Sequence, residues 1–177
     1  MGLDQVGRRP RRMSIASLAT GESIEAQFNP TDLEEAIEVK WGRAEVPGLS
    51  HQPLQFGHTG NDRLTFELNF DALAGTMSVD QIQSARRFLL SLCYSSRKAT
   101  TVASAAPARV LFVWPNLASL TCIIASLTFR YQRFNADGIP IQFTCRLSME
   151  EIRDVRLFAE DVRDNGTQRS GAGVQEV

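Results

Sequence analysis

Histidine, tryptophan and tyrosine each occur only twice in the 177 residues, and cysteine three times. That scarcity limits the chemistry the chain can host. His51 and His58, with Asp62 close behind, form the one conceivable metal or acid–base set. Metal sites usually bring more ligands at tighter spacing, so two solvated loop histidines are the stronger reading. No G-x-S-x-G, H-E-x-x-H or Walker-type glycine loop occurs, which leaves nucleophilic, zinc-hydrolytic and phosphate-cradling chemistry without a foothold. Cys93, Cys122 and Cys145 are odd in number, far apart and set among apolar residues. Disulfide frameworks and zinc sites need paired or clustered cysteines, so these read as reduced, buried thiols.

Charge of one sign is also lacking: the net charge is -1, too small to draw the protein to nucleic acid or an anionic membrane. No apolar run approaches the ~20 residues that span a bilayer. The Arg8-Arg9-Pro10-Arg11-Arg12 run has neither the apolar stretch of a secretory signal nor the aromatic partners of a nucleic-acid-binding arm. The adjacent carboxylates Glu34-Glu35 and Glu150-Glu151 point to opposite faces if they lie on strands, so neither pair converges on a substrate. The expectation is a non-enzymatic protein made in the cytoplasm, with no cofactor, metal, small-molecule substrate or membrane insertion, and little basis for nucleic-acid binding.

What is present is a β-rich pattern. Hydrophobic residues make up 43% of the chain, enough for one domain with a real core. That domain is placed at 12–155, between a basic tail (1–11) and a polar tail (156–177), both expected to be disordered. Met13 to Phe28 reads as a hairpin turning at Thr20-Gly21-Glu22, with Ile24, Ala26 and Phe28 on one face. Asn29-Pro30-Thr31 breaks the strand, and Asp32 to Glu35 is expected to form a helical turn. Ile37, Val39 and Trp41 alternate with Glu38 and Lys40, and both Trp41 and Trp114 sit in strand patterns that read as core. Pro47-Gly48, Pro53, Gly57 and Gly60 mark a long irregular loop, of the kind that is usually functional or held by a partner. In Arg63 to Phe70, Leu64, Phe66, Leu68 and Phe70 alternate with polar residues, the signature of an antiparallel strand with one buried face.

One helix is expected. Ser78 and Gln81 form an S-x-x-Q capping box, and Asp80 in the first turn favours the helix dipole. Ile82, Ala85, Phe88 or Leu89, and Leu92 then recur at helical spacing, with Arg86 and Arg87 outward and an end near Cys93 or Tyr94. Ser95 to Ala108 reads as a small, polar, mobile loop, and Arg109 to Trp114 as an apolar strand covered on both faces.

Two long segments, Leu120–Phe134 and Ile139–Ile152, flank Asn135-Ala136-Asp137-Gly138. Leu127, Phe129 and Tyr131 oppose Thr128, Arg130 and Gln132; Ile141, Phe143, Cys145 and Leu147 oppose Gln142, Thr144 and Arg146. Matching polar faces requires even positions to meet even positions, since a one-residue slip flips a strand. Asn135 opposite Ile139 then leaves a three-residue loop ending in Gly138, a favoured hairpin. This register places Thr128 opposite Arg146, Phe129 opposite Cys145 and Arg130 opposite Thr144. At roughly 3.3 Å per residue such strands reach about 45 Å, longer than a small domain covers alone. The outer part must project or lie against copies of the same chain.

In order, the segments Phe28-Asn29-Pro30-Thr31, Val46-Pro47-Gly48-Leu49, Pro53-Leu54-Gln55-Phe56-Gly57, Leu64 to Asp71, Arg109 to Trp114, the Asp137-Gly138 hairpin and Met149 to Arg153 resemble the tube domain of contractile injection systems. That domain is often the N-terminal part of a LysM-bearing baseplate protein. The resemblance covers Met13 to Arg153, and it rests on the shared order of the segments. It implies a mainly-β (α+β) tail-tube-like fold, a β-barrel-like pair of packed antiparallel sheets with one flanking helix and a long C-terminal hairpin. It implies a hexameric ring acting as tube initiator or adaptor between the baseplate spike and the inner tube. The partners are then copies of itself and the inner-tube and spike proteins of a particle assembled in the bacterial cytoplasm. Thr128, Arg130, Gln132, Gln142, Thr144 and Arg146 would form a subunit-interface or lumen stripe. Cell-wall binding is not carried over, because the last residues here are a short polar tail and not a LysM module. The repeating inner-tube subunit, and a stand-alone ligand- or nucleic-acid-binding barrel, stand as alternatives.

Overall fold

The computed structural model describes residues 11–45, 47–95 and 106–153. The expected tails up to residue 10 and from 156, and most of the Ser95–Ala108 loop, lie outside the described residues. Nine strands and one helix follow in chain order: β1 (Ser14–Ser17), β2 (Ser23–Glu25), β3 (Leu33–Ala36), β4 (Val39–Arg43), β5 (Leu54–Thr59), β6 (Arg63–Asp71), α1 (Val79–Ser91), β7 (Val110–Trp114), β8 (Ala118–Phe134) and β9 (Pro140–Glu151). Seven strands form one antiparallel sheet in the order β2-β1-β7-β8-β9-β6-β3, and β4 and β5 form a second, two-stranded sheet. The fold is mainly β with one flanking helix and a long C-terminal hairpin, as expected. Neither sheet closes into a barrel among the described residues: β2 and β3 remain free edges.

The apolar face of the large sheet carries the core. Leu64, Phe66, Leu68 and Phe70 of β6, Phe143, Cys145, Leu147 and Met149 of β9, and Phe112 of β7 are all buried. Helix α1 covers this face with Ile82, Ala85 and Leu89. Its start is fastened as the sequence predicts, with Gln81 N donating to Ser78 Oγ at 3.2 Å and Ser78 N donating to Gln81 Oε1 at 2.7 Å. Each bond satisfies an otherwise orphaned helix-end donor.

The β8–β9 register is the one read from the pattern: Thr128 faces Arg146, Phe129 faces Cys145 and Arg130 faces Thr144. Asn135 N donates to Ile139 O at 2.9 Å, and Gly138 takes φ 75°, where a side chain would be strained. Asn135 Oδ1 also accepts from the backbone of Asp137 and Ile139, so the turn is held by its own asparagine.

Several expectations need correcting. Asp32 to Glu35 is not a helical turn: Leu33–Ala36 is strand β3, with Leu33 opposite Phe66. The exposed edge of β6 outbids a weak local helix signal by offering a ladder of backbone partners. The 47–60 stretch is not irregular throughout, because Leu54–Thr59 pairs with β4. Gly57 allows that pairing, since a Cβ there would stand 3.0 Å from the Lys40 carbonyl oxygen. Trp41 is not core but 55% exposed. The face expected from Ile24, Ala26 and Phe28 breaks after Ala26: Gln27 is buried and Phe28 is exposed. Strand β8 shifts register between Ile124 and Ser126. Its inward face therefore passes from Leu120, Cys122 and Ile124 to Leu127, Phe129 and Tyr131 by one extra residue.

Arg86 does not point outward. Its guanidinium lies 5.4 Å from the Tyr131 ring centroid and 5.8 Å from that of Phe129, and its Nε donates to Tyr131 Oη at 2.6 Å. Gln83 Nε2 donates to the Pro140 carbonyl at 2.6 Å. The apolar side of the outer hairpin is thus fastened by the chain's own helix, which the choice between projecting and lying on a copy did not foresee.

Candidate assembly surface

The sheet's second face is polar, and the six predicted stripe residues lie along the outer half of β8 and β9. Cross-strand pairing gathers them into rows that run onto β6. Thr128, Arg146 and Glu67 form one row, and Arg130, Thr144 and Asn69 the next. Gln142 pairs with Asp71 on one side. On the other it faces Arg133, because β8 shifts register between Tyr131 and Arg133. Gln132 therefore does not hold the place opposite Gln142 that the even-to-even pattern predicts. Thr128, Arg130, Gln132 and Arg146 are exposed, and Gln142 and Thr144 half-buried. Glu67 and Asp71 stand among Arg130, Arg133 and Arg146 in these rows, which makes a mixed-charge surface and not a phosphate-binding track. Sequence reasoning missed Glu67, Asn69 and Asp71 as members of this surface. Their polar alternation on β6 was visible, but the neighbour that brings them to β9 lies about 75 residues away.

The histidines and carboxylates singled out from the sequence do not converge on one site beside it. His51 and His58 are exposed, while the buried Asp62 carboxylate is engaged at 2.6 Å by Arg153. Arg153 also holds Glu151 at 2.6 Å, and Glu150 approaches Arg63 at 3.4 Å. Among the described residues no group of three or more His, Cys, Asp or Glu could hold a metal ion, and no helix is long and apolar enough to cross a membrane. Burial pushes the Cys122 and Cys145 thiols up to about 12, and raises that of the half-buried Cys93. Cys122 and Cys145 are thus protonated core side chains and not nucleophiles.

Two further features flank the sheet. The β4–β5 hairpin is exposed along both strands, with Trp41 and Phe56 in an edge-to-face pair at 5.5 Å. A groove of about 820 Å³ runs between β2 and α1.

The family model for contractile injection system tube proteins matches residues 12–159. No curated protein matches the chain. Among solved structures, it is similar to a chain of the virion of a native gene transfer agent particle, with 10% identity over 86% of this chain and 99% of that one and a TM-score of 0.43. It is also similar to a chain of the 6-fold symmetrised baseplate of the anti-feeding prophage, with 13% identity over 82% of this chain and 91% of that one and a TM-score of 0.36. The family match spans the whole described sheet and its helix, and the chain belongs to the contractile injection system tube protein family, as a structural component of such a system.

Proposed function

We propose that the chain assembles into a hexameric ring that initiates or adapts the inner tube above the baseplate spike, and acts without catalytic turnover. The observation that carries this reading is the open seven-stranded sheet with free edges at β2 and β3. Free edges in a stable protein are ordinarily covered or closed. A head-to-tail contact repeated around an axis covers an exposed edge of every copy and closes without a free end. The six-fold order is what the family resemblance implies. In such a ring the Thr128, Arg130, Gln142, Thr144 and Arg146 stripe, with Gln132 beside it, faces the lumen or the adjacent ring. The partners are the inner-tube and spike proteins of the same particle, with assembly in the bacterial cytoplasm.

Size-exclusion chromatography with light scattering, and negative-stain imaging of the same peak, tests the reading on the chain alone and co-produced with its tube and spike proteins. Rings of six subunits are expected. Long tubes from the chain alone would identify the repeating inner-tube subunit instead. Monomers under both conditions would overturn the ring.

A further inference from the structure

We propose that the β4–β5 hairpin of one copy docks in the groove between β2 and α1 of another, and that this is a contact that joins subunits. The inference rests on the ring reading above and names surfaces within it.

The hairpin needs a partner. Two-stranded ribbons are marginal by themselves, and this one buries no residue of either strand. Trp41, Leu54 and Phe56 are 55%, 59% and 52% exposed. In the register Trp41 faces Phe56 and Arg43 faces Leu54, so the three apolar side chains share one face of the ribbon. Contiguous exposed aromatics of this kind mark interaction sites.

The groove offers the complement. Its floor includes Ile24, Met77 and Phe88, which are only partly buried. One wall is β2, an edge strand whose outer side has no strand partner among the described residues. An incoming strand could extend the sheet there while its apolar face lies against the helix, the geometry of strand addition.

Charge selects the occupant. Strand β4 carries Lys40 and Arg43, and Glu38 just before it lies 3.9 Å from Lys40, so this strand and its lead-in keep one positive charge in excess. The β2 segment carries Glu22 and Glu25, with Asp80 across the groove. Arg12 and Arg87 also line it, so three carboxylates against two guanidiniums leave one negative charge in excess. The other free edge, β3, carries Glu34 and Glu35. Pairing β3 with β2 of a neighbour would set carboxylates against carboxylates, whereas β4 sets cations there. Like-charge juxtaposition opposes a contact and opposite charge fixes its register.

Charge reversal in two chains tests the contact. One chain carries Lys40→Glu and Arg43→Glu on the exposed hairpin; the other carries Glu22→Lys and Glu25→Lys at the groove. Circular dichroism and thermal melting of each should match the parent, since the altered side chains are exposed. Each chain alone is expected to lose rings by at least about tenfold in imaging and light scattering. Mixing the two should restore rings, because each hairpin then meets an oppositely charged groove. A Trp41→Ser/Phe56→Ser chain should lose rings with no rescue by either. Parent rings that survive all these substitutions, or reversed chains that stay monomeric when mixed, overturn the hairpin contact and leave the ring reading standing. A parent chain that forms no ring under any condition overturns both.

Discussion

Two buried polar side chains fasten segments distant in sequence, and the first makes a prediction at the residue scale. Asp62 is fully buried and its carboxylate meets Arg153 at 2.6 Å, at the point where β9 ends. Removing one member of a buried pair strands the other, which costs about 3 kcal/mol. Arg153→Met should lower the stability measured by urea denaturation by that order, and Asp62→Asn in the same chain should recover part of it. Gln27 is the second: its side chain donates to Asp71 O and to Thr76 Oγ1 and accepts from Asp71 N, each at 2.7 Å. Every atom of the buried amide is used, which is how such a residue is tolerated. The buried thiols give a second test. Cys122 and Cys145 titrate near 12 when folded, against an ordinary 9.0. Above pH 9 the unfolded chain releases protons that the folded chain keeps, so stability is full below about pH 9 and falls as pH rises towards 12. A Cys122→Ala/Cys145→Ala chain should show a shallower alkaline decline in denaturation midpoint. Thiol reagents should label Cys93 first and the other two only on unfolding.

At the scale of elements, the long hairpin has two faces with different duties. Phe143 is fully buried and stacks on Phe70 at 5.0 Å. Phe143→Asp would bury an unpaired carboxylate, and the chain should fail to fold, as read by loss of its cooperative melt. Phe129 lies on the same face but is only half-buried, with the Arg86 guanidinium over its ring. An aspartate there gains a cation, so Phe129→Asp should be the milder change. Arg130→Ser and Arg146→Ser alter exposed positions on the polar face and should leave monomer stability within about 0.5 kcal/mol of the parent. A reversed order of these effects would invert the assignment of faces. Arg86 and Gln83 keep the outer hairpin and α1 together, so the helix sets the angle at which the polar stripe is presented.

For the whole molecule, stability is unevenly spread. The seven-stranded sheet and α1 share one continuous core, whereas the β4–β5 ribbon has no buried side chain. Amide hydrogen exchange should therefore be fast across Val39–Arg43 and Leu54–Thr59 in the free chain and slow across Arg63–Asp71 and Phe143–Met149. In assembled rings the ribbon amides should become protected by at least about tenfold, if the ribbon gains strand partners there. On the proposed contact, the least stable part of the monomer is the part that meets another copy.

The sequence alone determined the elements whose instructions lie close together along the chain. Strand β6 was legible from its alternation, α1 from its capping box and 3.6-residue period, and the β8–β9 register from two polar faces joined by a turn that admits glycine. In each case the interacting residues are neighbours or near-neighbours, so local geometry leaves few solutions. Tertiary structure alone decided that Leu33–Ala36 would be a strand, that Leu54–Thr59 would find β4, and that Arg86 would turn inward onto Tyr131. It also decided that Gln27 would be buried in place of Phe28, and that Arg133 would displace Gln132 opposite Gln142. Each of these depends on a partner brought close only when the chain has folded. An unpaired edge, a ring face or a buried backbone group then outweighs a weak local preference, because leaving it unmet costs more than the local conformation gains.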